Sequence, residues 1–318
     1  MDGKVLALAG GTGGAKLALG LAKILPPEQL TIVVNTGDDQ CFHGLHVSPD
    51  LDTIMYTLAG LVNPETGWGL DGDTFNSQGM LQKYHVDTWF NLGDRDLATH
   101  ILRTQLLGQG STLSQVTANL CQSLGVQPAV VPMSDQPVRT ILSTDDGEMP
   151  MQTYFVRHRS EPKLKKIDYA GAEAAKPSPK FSDALSQADL IVLCPSNPFL
   201  SIGPILAIPG VREALSESKS DQLRIAVSPI VGGAAIKGPA AKIMEELGHD
   251  VSCLGVARIY ADICDTFVID QQDADLASEI ENLGLNVVVA PTIMNNDADK
   301  IALAQRILHQ RNPQLKGS

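Results

Sequence analysis

Seven short apolar runs, each ending at or beside a turn residue, limit the possible folds of this chain more than any other feature. They are Lys4–Ala9, Leu30–Asn35, Ala129–Pro132, Leu190–Cys194, Arg224–Ser228, Thr266–Ile269 and Asn286–Ala290. Most are too short for core helices and rich in β-branched residues, the pattern of strands buried on both faces. Helix-period stretches fall between and after them: Ala15–Leu25, Pro239–Leu247, Ala274–Leu283 and Ala298–His309. Alternation of this kind at both ends predicts an α/β fold, a doubly wound and mostly parallel sheet. Aromatic residues make up only 4%. The core must therefore be built from Leu, Ile, Val and Ala, which suits helices packed on such a sheet.

The middle of the chain reads differently. Residues 49–125 form a mostly helical insertion, with Ser48 as N-cap, Pro49 at the first helical position and Asp50 and Asp52 in the first turn. The doubly wound α/β core then comprises residues 1–48 and 126–318. Arg139–Ser143 and Met151–Phe155, around Asp145-Asp146-Gly147, predict a β-hairpin, and Arg157–Lys180 an exposed connection. The Lys163–Lys166 cluster reads as solvated surface.

Composition narrows the function classes. The chain has 318 residues, and 24 Lys+Arg against 36 Asp+Glu leave a net charge of −12. Duplex nucleic acid is excluded as a partner, because it would demand a basic stripe. No window approaches the roughly 18 uninterrupted apolar residues of a membrane helix. The start at Met1 shows no signal-peptide pattern, so a cytoplasmic protein is expected. Five widely spaced cysteines without a C-x-x-C pair signal neither a disulfide framework nor structural zinc; reduced thiols are expected.

Polar turns follow most of the predicted strands. Gly10-Gly11-Thr12-Gly13-Gly14-Ala15-Lys16 lies between the first strand and first helix, where glycines and free N–H groups can receive a phosphate. Lys16 breaks the dinucleotide fingerprint, and no Walker G-K-[ST] is present. The second strand ends in Asn35-Thr36-Gly37-Asp38-Asp39. A nicotinamide enzyme would usually place an acidic residue where Asn35 stands, whereas Asp38 and Asp39 could hold Mg²⁺ or fix a loop. Asp50 and Asp52 could hold a divalent cation between them or simply cap their helix. His43 and His46 could be ligands, although isolated histidines are more often structural hydrogen-bonders. Gly93-Asp94-Arg95-Asp96 opens another helix, where Arg95 could clamp a phosphate or carboxylate. Met133-Ser134-Asp135, Pro195-Ser196-Asn197 and Ser228-Pro229-Ile230-Val231-Gly232-Gly233 follow three further strands. Ligands of open α/β sheets bind at that edge, so this convergence points to a nucleotide or diphosphate.

Together these segments resemble the phospholactate transferase family of coenzyme F420 biosynthesis, the CofD/FbiA-like proteins. The resemblance rests on GGTGGAKLA, VVNTGDD, SPDLDTIMYTLAGL, NPETGWG, LGDRDLATH, VPMSDQPVRT, PSNPFLSIGPILAIPG and SPIVGGAAIKGPA, and covers nearly the whole chain. It implies a Rossmann-like core with an added helical segment that contributes the acceptor site. It also implies Mg²⁺-dependent transfer of a phospholactyl or phosphoenolpyruvyl group from a guanosine diphosphate-linked donor to the ribityl hydroxyl of the deazaflavin Fo, with GMP leaving. Carried onto this chain, Asp50, Asp52 and Arg95 become catalytic candidates, and Asp50 and Asp39 metal ligands. Asp94, Asp96, Thr99, Met133, Ser134 and Asp135 become substrate contacts. Gly11, Thr12, Gly13, Gly14, Asn35, Ser196, Asn197 and Ser201 become nucleotide contacts. A related branch with a similar Gly-rich start binds sugar nucleotides as a regulatory factor; SPDLDT and GDRDLATH favour the transferase. A homodimer is the ordinary expectation for such an enzyme.

Overall fold

The computed structural model describes residues 3–217, 222–236 and 238–311. Met1, Lys237 within SPIVGGAAIKGPA, and residues 218–221 and 312–318 of the expected core lie outside the described residues. Strand β1 (Val5–Ala9) turns directly into helix α1 (Gly11–Ala22), and β2 (Leu30–Val34) follows. A small hairpin comes next, β3 (Gln40–Phe42) and β4 (Leu45–Val47), joined through His43 and Gly44. Both turn residues have positive φ, 52° and 80°, the twist that a two-residue hairpin needs. Helices α2 (Pro49–Leu58), α3 (Asn76–Lys83), α4 (Asp96–Gly108) and α5 (Leu113–Ser123) lead to β5 (Ala129–Pro132).

The second half begins with a small antiparallel sheet of β6 (Arg139–Thr144), β7 (Gly147–Pro150) and β8 (Leu164–Ala170), in the order β7-β6-β8. The chain then alternates through α6 (Pro179–Gln187), β9 (Leu190–Leu193), α7 (Gly203–Leu206), α8 (Val211–Ser216) and β10 (Leu223–Val227). A short hairpin, β11 (Ile230–Val231) and β12 (Ala234–Ala235), precedes α9 (Ala240–Glu246) and α10 (Cys253–Tyr260). The last elements are β13 (Thr266–Ile269), α11 (Ala277–Glu281), β14 (Asn286–Val289) and α12 (Asp297–Leu308).

The main sheet has seven strands in the order β14-β13-β10-β9-β1-β2-β5, every neighbouring pair parallel. These are the seven apolar runs of the sequence. Alternate residues of each strand feed opposite faces. Val5, Ala7 and Ala9 pack with Leu17 and Leu21 of α1, Ile54 of α2, Val116 of α5 and Ile307 of α12. Leu6 and Leu8 join Phe181 of α6, Leu215 of α8, Val256 of α10 and Ile280 of α11 on the other face. The order places β1 and β9 at the point where the winding reverses, so ligand-binding loops should meet beyond their carboxyl ends.

Two local expectations need correction. The hairpin's second strand is β7, not Met151–Phe155, because that segment coils into a helical turn immediately after Pro150. The expected connection Arg157–Lys180 contains β8, paired along β6. Its Lys165 and Lys166 face solvent while Leu164 is buried, and these charges disguised a strand with one wet face. Hairpin β3–β4 packs with the helical excursion rather than the sheet: Phe42 and Val47 form a cluster with Leu92, flanked by Trp89, Phe90 and Leu97. All five cysteines are free, four buried and Cys41 exposed. Among the described residues no helix is long and apolar enough to cross a membrane.

Candidate functional site

The carboxyl ends of β1 and β9 meet through backbone. Gly10 N–H donates to Ser196 Oγ (3.2 Å), and that hydroxyl donates to Gly10 O (2.8 Å). A Cβ on Gly13 would overlap the Pro195 carbonyl, and one on Gly10 would strike the Asp50 carboxylate and Ser201 Cβ. Glycine is therefore needed here because protein already fills the space where a side chain would go. At Gly13 that space belongs to the β1–β9 junction. Asn197 Oδ1 accepts from the N–H groups of Phe199 and Leu200, fixing the loop that carries Ser201.

Onto this junction α2 projects Asp50. Its Oδ1 accepts the Gly11 N–H at 2.7 Å and its Oδ2 the Asn35 amide at 2.9 Å. The same amide nitrogen reaches Asp38 Oδ1 (3.2 Å) and the Leu200 carbonyl (3.1 Å). Asp38 Oδ2 accepts from Gln152 Nε2 at 3.0 Å. Asp39 Oδ2 meets His46 Nε2 at 2.9 Å and accepts from Ser48 Oγ at 2.8 Å, while Asp39 Oδ1 is buried without a hydrogen-bond partner. Ser48 stands at the N-cap of α2 as expected, but its hydroxyl is spent on Asp39 and makes no capping bond to the helix.

Asp38, Asp39 and Asp50 are all buried. Burial pushes the Asp50 carboxyl up to about 6, against the hydrogen bonds from Asn35 and Gly11. Burial likewise pushes Asp38 well above the usual carboxylate range, and the charges of Asp50 and Asp39 push it further. Among the described residues no lysine or arginine forms an ion pair with these three carboxylates. Mg²⁺ is typically held by one or two carboxylates, water and substrate phosphate, so Asp50 with Asp38 or Asp39 fits that donor set. The unpaired Asp39 Oδ1 supplies an uncommitted acceptor. Beside the carboxylates, the first turn of α1 leaves the N–H groups of Thr12 and Gly13 without helical acceptors.

Asp52 does not share this site. Two residues along a helix point to different faces, and Asp52 turns toward α4. The expected cation site between Asp50 and Asp52 is thereby overturned. Asp52 accepts from both terminal nitrogens of Arg103, one of them at 3.1 Å, and lies 3.7 Å from His100 Nδ1. His100 Nε2 stands 3.2 Å from Asp96 Oδ2, and Tyr56 Oη donates to Asp96 Oδ1 (2.6 Å) and Thr99 Oγ1 (2.8 Å). Burial resists the charge on Asp96, yet His100 and Tyr56 outweigh it and hold the carboxyl below its ordinary value. Burial also works against Arg103, but Asp52 more than restores it. Among the described residues, Asp52, Asp96 and His100 bring three ligand-type atoms within 4.8 Å. The Arg103 guanidinium already supplies the cation there.

The other candidates lie further out. Arg95 is exposed at the start of α4, about 12 Å along that helix from Arg103, and its guanidinium donates to the Asp71 carbonyl at 2.8 Å. Asp94 accepts from Thr74 and from the N–H groups of Asn76 and Ser77; Thr74 first and those N–H groups next hold its carboxyl well below the usual range. Met133 is buried core, Ser134 bonds Gln136, and Asp135 accepts from Ser114 N–H at the start of α5. These three end β5, two strands and about 10 Å from β1. The structure adds Gln152, Arg103 and Asp73, the last accepting from the Arg95 and Asp96 N–H groups. Only Arg103 had a readable signal, the polar stripe Asp96, His100, Arg103 at helical spacing.

Residues 5–301 match the family described as 2-phospho-L-lactate transferase CofD. A 2-phospho-L-lactate transferase of Methanothermobacter thermautotrophicus is 41% identical over 304 residues, covering 96% of this chain and 97% of that protein. A phosphoenolpyruvate transferase of Streptomyces griseus is 42% identical over 311 residues, covering 96% and 97%. Among solved structures, a UPF0052 family protein from Bacillus halodurans superposes with a TM-score of 0.62 at 17% identity, covering 97% of this chain and 99% of that one.

Proposed function

The chain belongs to the CofD family, and from that membership we propose that it transfers a phospholactyl or phosphoenolpyruvyl group in coenzyme F420 biosynthesis. The donor in this reading is guanosine diphosphate-linked and the acceptor is the ribityl terminal hydroxyl of Fo. The acceptor oxygen attacks the phosphorus that carries the lactyl or enolpyruvyl group. The new O–P bond forms as the diphosphate bridge breaks, GMP leaves with the bridging oxygen, and the hydroxyl proton is released. Relatives of both names match this chain almost equally well, so the transferred group stays open between the two.

One observation carries the reading: three buried carboxylates gather beside the first turn of α1, at the reversal point of a parallel sheet. Mg²⁺ held by Asp50 with Asp38 or Asp39 would neutralise charge on the diphosphate and the departing GMP. The chain's own groups do the rest. The free N–H groups of α1 receive phosphate oxygen, and the β1–β9 junction holds those groups rigid. Positioning and charge neutralisation supply most of the rate in phosphoryl transfer, so no covalent intermediate is needed.

The test is mass spectrometry of products after mixing purified protein with Fo, Mg²⁺ and each donor in turn. Fo enlarged by the transferred group, with GMP in equal amount, is expected for one donor or both. Failure of Fo to bind, with saturable binding of a sugar nucleotide, would replace the transferase by the regulatory branch.

A further inference from the structure

We infer that Gln152 is a positioning residue for the carboxylate site: it aims Asp38 with a neutral amide and so leaves that carboxylate's charge available to a divalent cation. This rests on the reading of Asp38, Asp39 and Asp50 as a cation site. Gln152 lies 114 residues from Asp38 in sequence, on the helical turn after β7, and is 5% exposed. Its Nε2 reaches Asp38 Oδ2 at 3.0 Å, opposite the Asn35 amide on Oδ1. The small antiparallel sheet grips the same loop a second time, through Thr140 N–H to the Gly37 carbonyl at 2.7 Å.

The turn bearing Gln152 is itself braced. Tyr154 is fully buried, and Lys242 ties its hydroxyl (3.3 Å) to Glu246 (2.7 and 2.8 Å) and the Pro162 carbonyl (3.0 Å). The amide is thus held in place before any ligand arrives. Its neutrality is the decisive feature. A lysine at this position would cancel the Asp38 charge and compete with the cation; an amide orients the carboxylate without cancelling it. Hydrogen-bond partners of ligating carboxylates typically account for 10- to 100-fold in metal affinity.

The experiment titrates Mn²⁺ alone, without substrates, into wild type, Gln152→Leu, Gln152→Lys and Asp38→Asn, following free Mn²⁺ by electron paramagnetic resonance. Gln152→Leu should weaken Mn²⁺ binding about 10-fold or more. Gln152→Lys should abolish saturable binding while raising the melting temperature of the metal-free protein, which a merely structural role would not do. In an Asp38→Asn background, Gln152→Leu should have no further effect on Mn²⁺ affinity, because its route runs through Asp38. Equal Mn²⁺ affinity in wild type and Gln152→Leu would overturn the inference while leaving the cation site standing. Additive losses in the double variant would also overturn it. No Mn²⁺ binding by wild type would remove the cation site and this inference together.

Discussion

Asp50 and Asp52 stand two residues apart in the first turn of α2, both buried, and do opposite work. Asp52 faces a guanidinium, with an imidazole and a second carboxylate bridged behind it, so its charge is matched inside the protein. Asp50 faces Asp38 and Asp39 across a junction where, among the described residues, their hydrogen-bond partners are amides, a hydroxyl, one imidazole and backbone N–H groups. One cluster closes its own charge; the other keeps a deficit. A buried acid with its cation built in reads as structure. A buried acid without one reads as a place where something positive arrives with the substrate.

The widest separation should come from Asp50→Asn. Turnover should fall roughly a thousandfold, since charge neutralisation at phosphorus is lost, while the metal-free protein unfolds at the same or higher urea concentration. Asp52→Asn should do the reverse. It strands Arg103 in the interior and should remove about 3–5 kcal/mol of stability, read from urea midpoints. Equal destabilisation by both variants would erase the distinction between the clusters.

Proton linkage gives a third contrast. Burial raises Asp50 from 3.8 to about 6, so the folded chain holds that proton more tightly than the unfolded chain. Its contribution to stability is fully present below about pH 4 and lost as pH rises through about 6, on the order of 3 kcal/mol for this group. Mg²⁺ needs the deprotonated carboxylate. It should therefore raise the melting temperature clearly at pH 7.5 and little at pH 5; an equal rise at both would place the cation elsewhere. Asp50→Asn should flatten the difference.

Smaller effects are expected from the exposed positions. Arg95→Ala should lower Fo affinity, followed by its fluorescence, and rate with it, but leave stability within about 0.5 kcal/mol. Lys163→Ala should change neither, because Lys163 is exposed and its hydrogen bonds to Asp145 run through its backbone. A loss of Fo binding there would move the acceptor toward the small sheet.

The sequence by itself determined the sheet. Each strand is a local apolar run, and burial on both faces leaves a pattern that neighbours along the chain can display, as Leu190–Leu193 and Thr266–Ile269 do. The glycine turn after β1 and the polar turns after other strands were legible for the same reason. Tertiary structure decided which of those turns share a site. Strand order brought residues 10–14, 35–39 and 195–201 to one junction and left Met133–Asp135 at the sheet's edge. It decided the split between Asp50 and Asp52, because a helix rotates about 100° per residue and each side chain met a different neighbour. It also supplied Gln152, a lone glutamine with no local pattern. A hydrogen bond between residues 38 and 152 exists only once the main sheet and the small one have packed, and no stretch of sequence contains both ends of it.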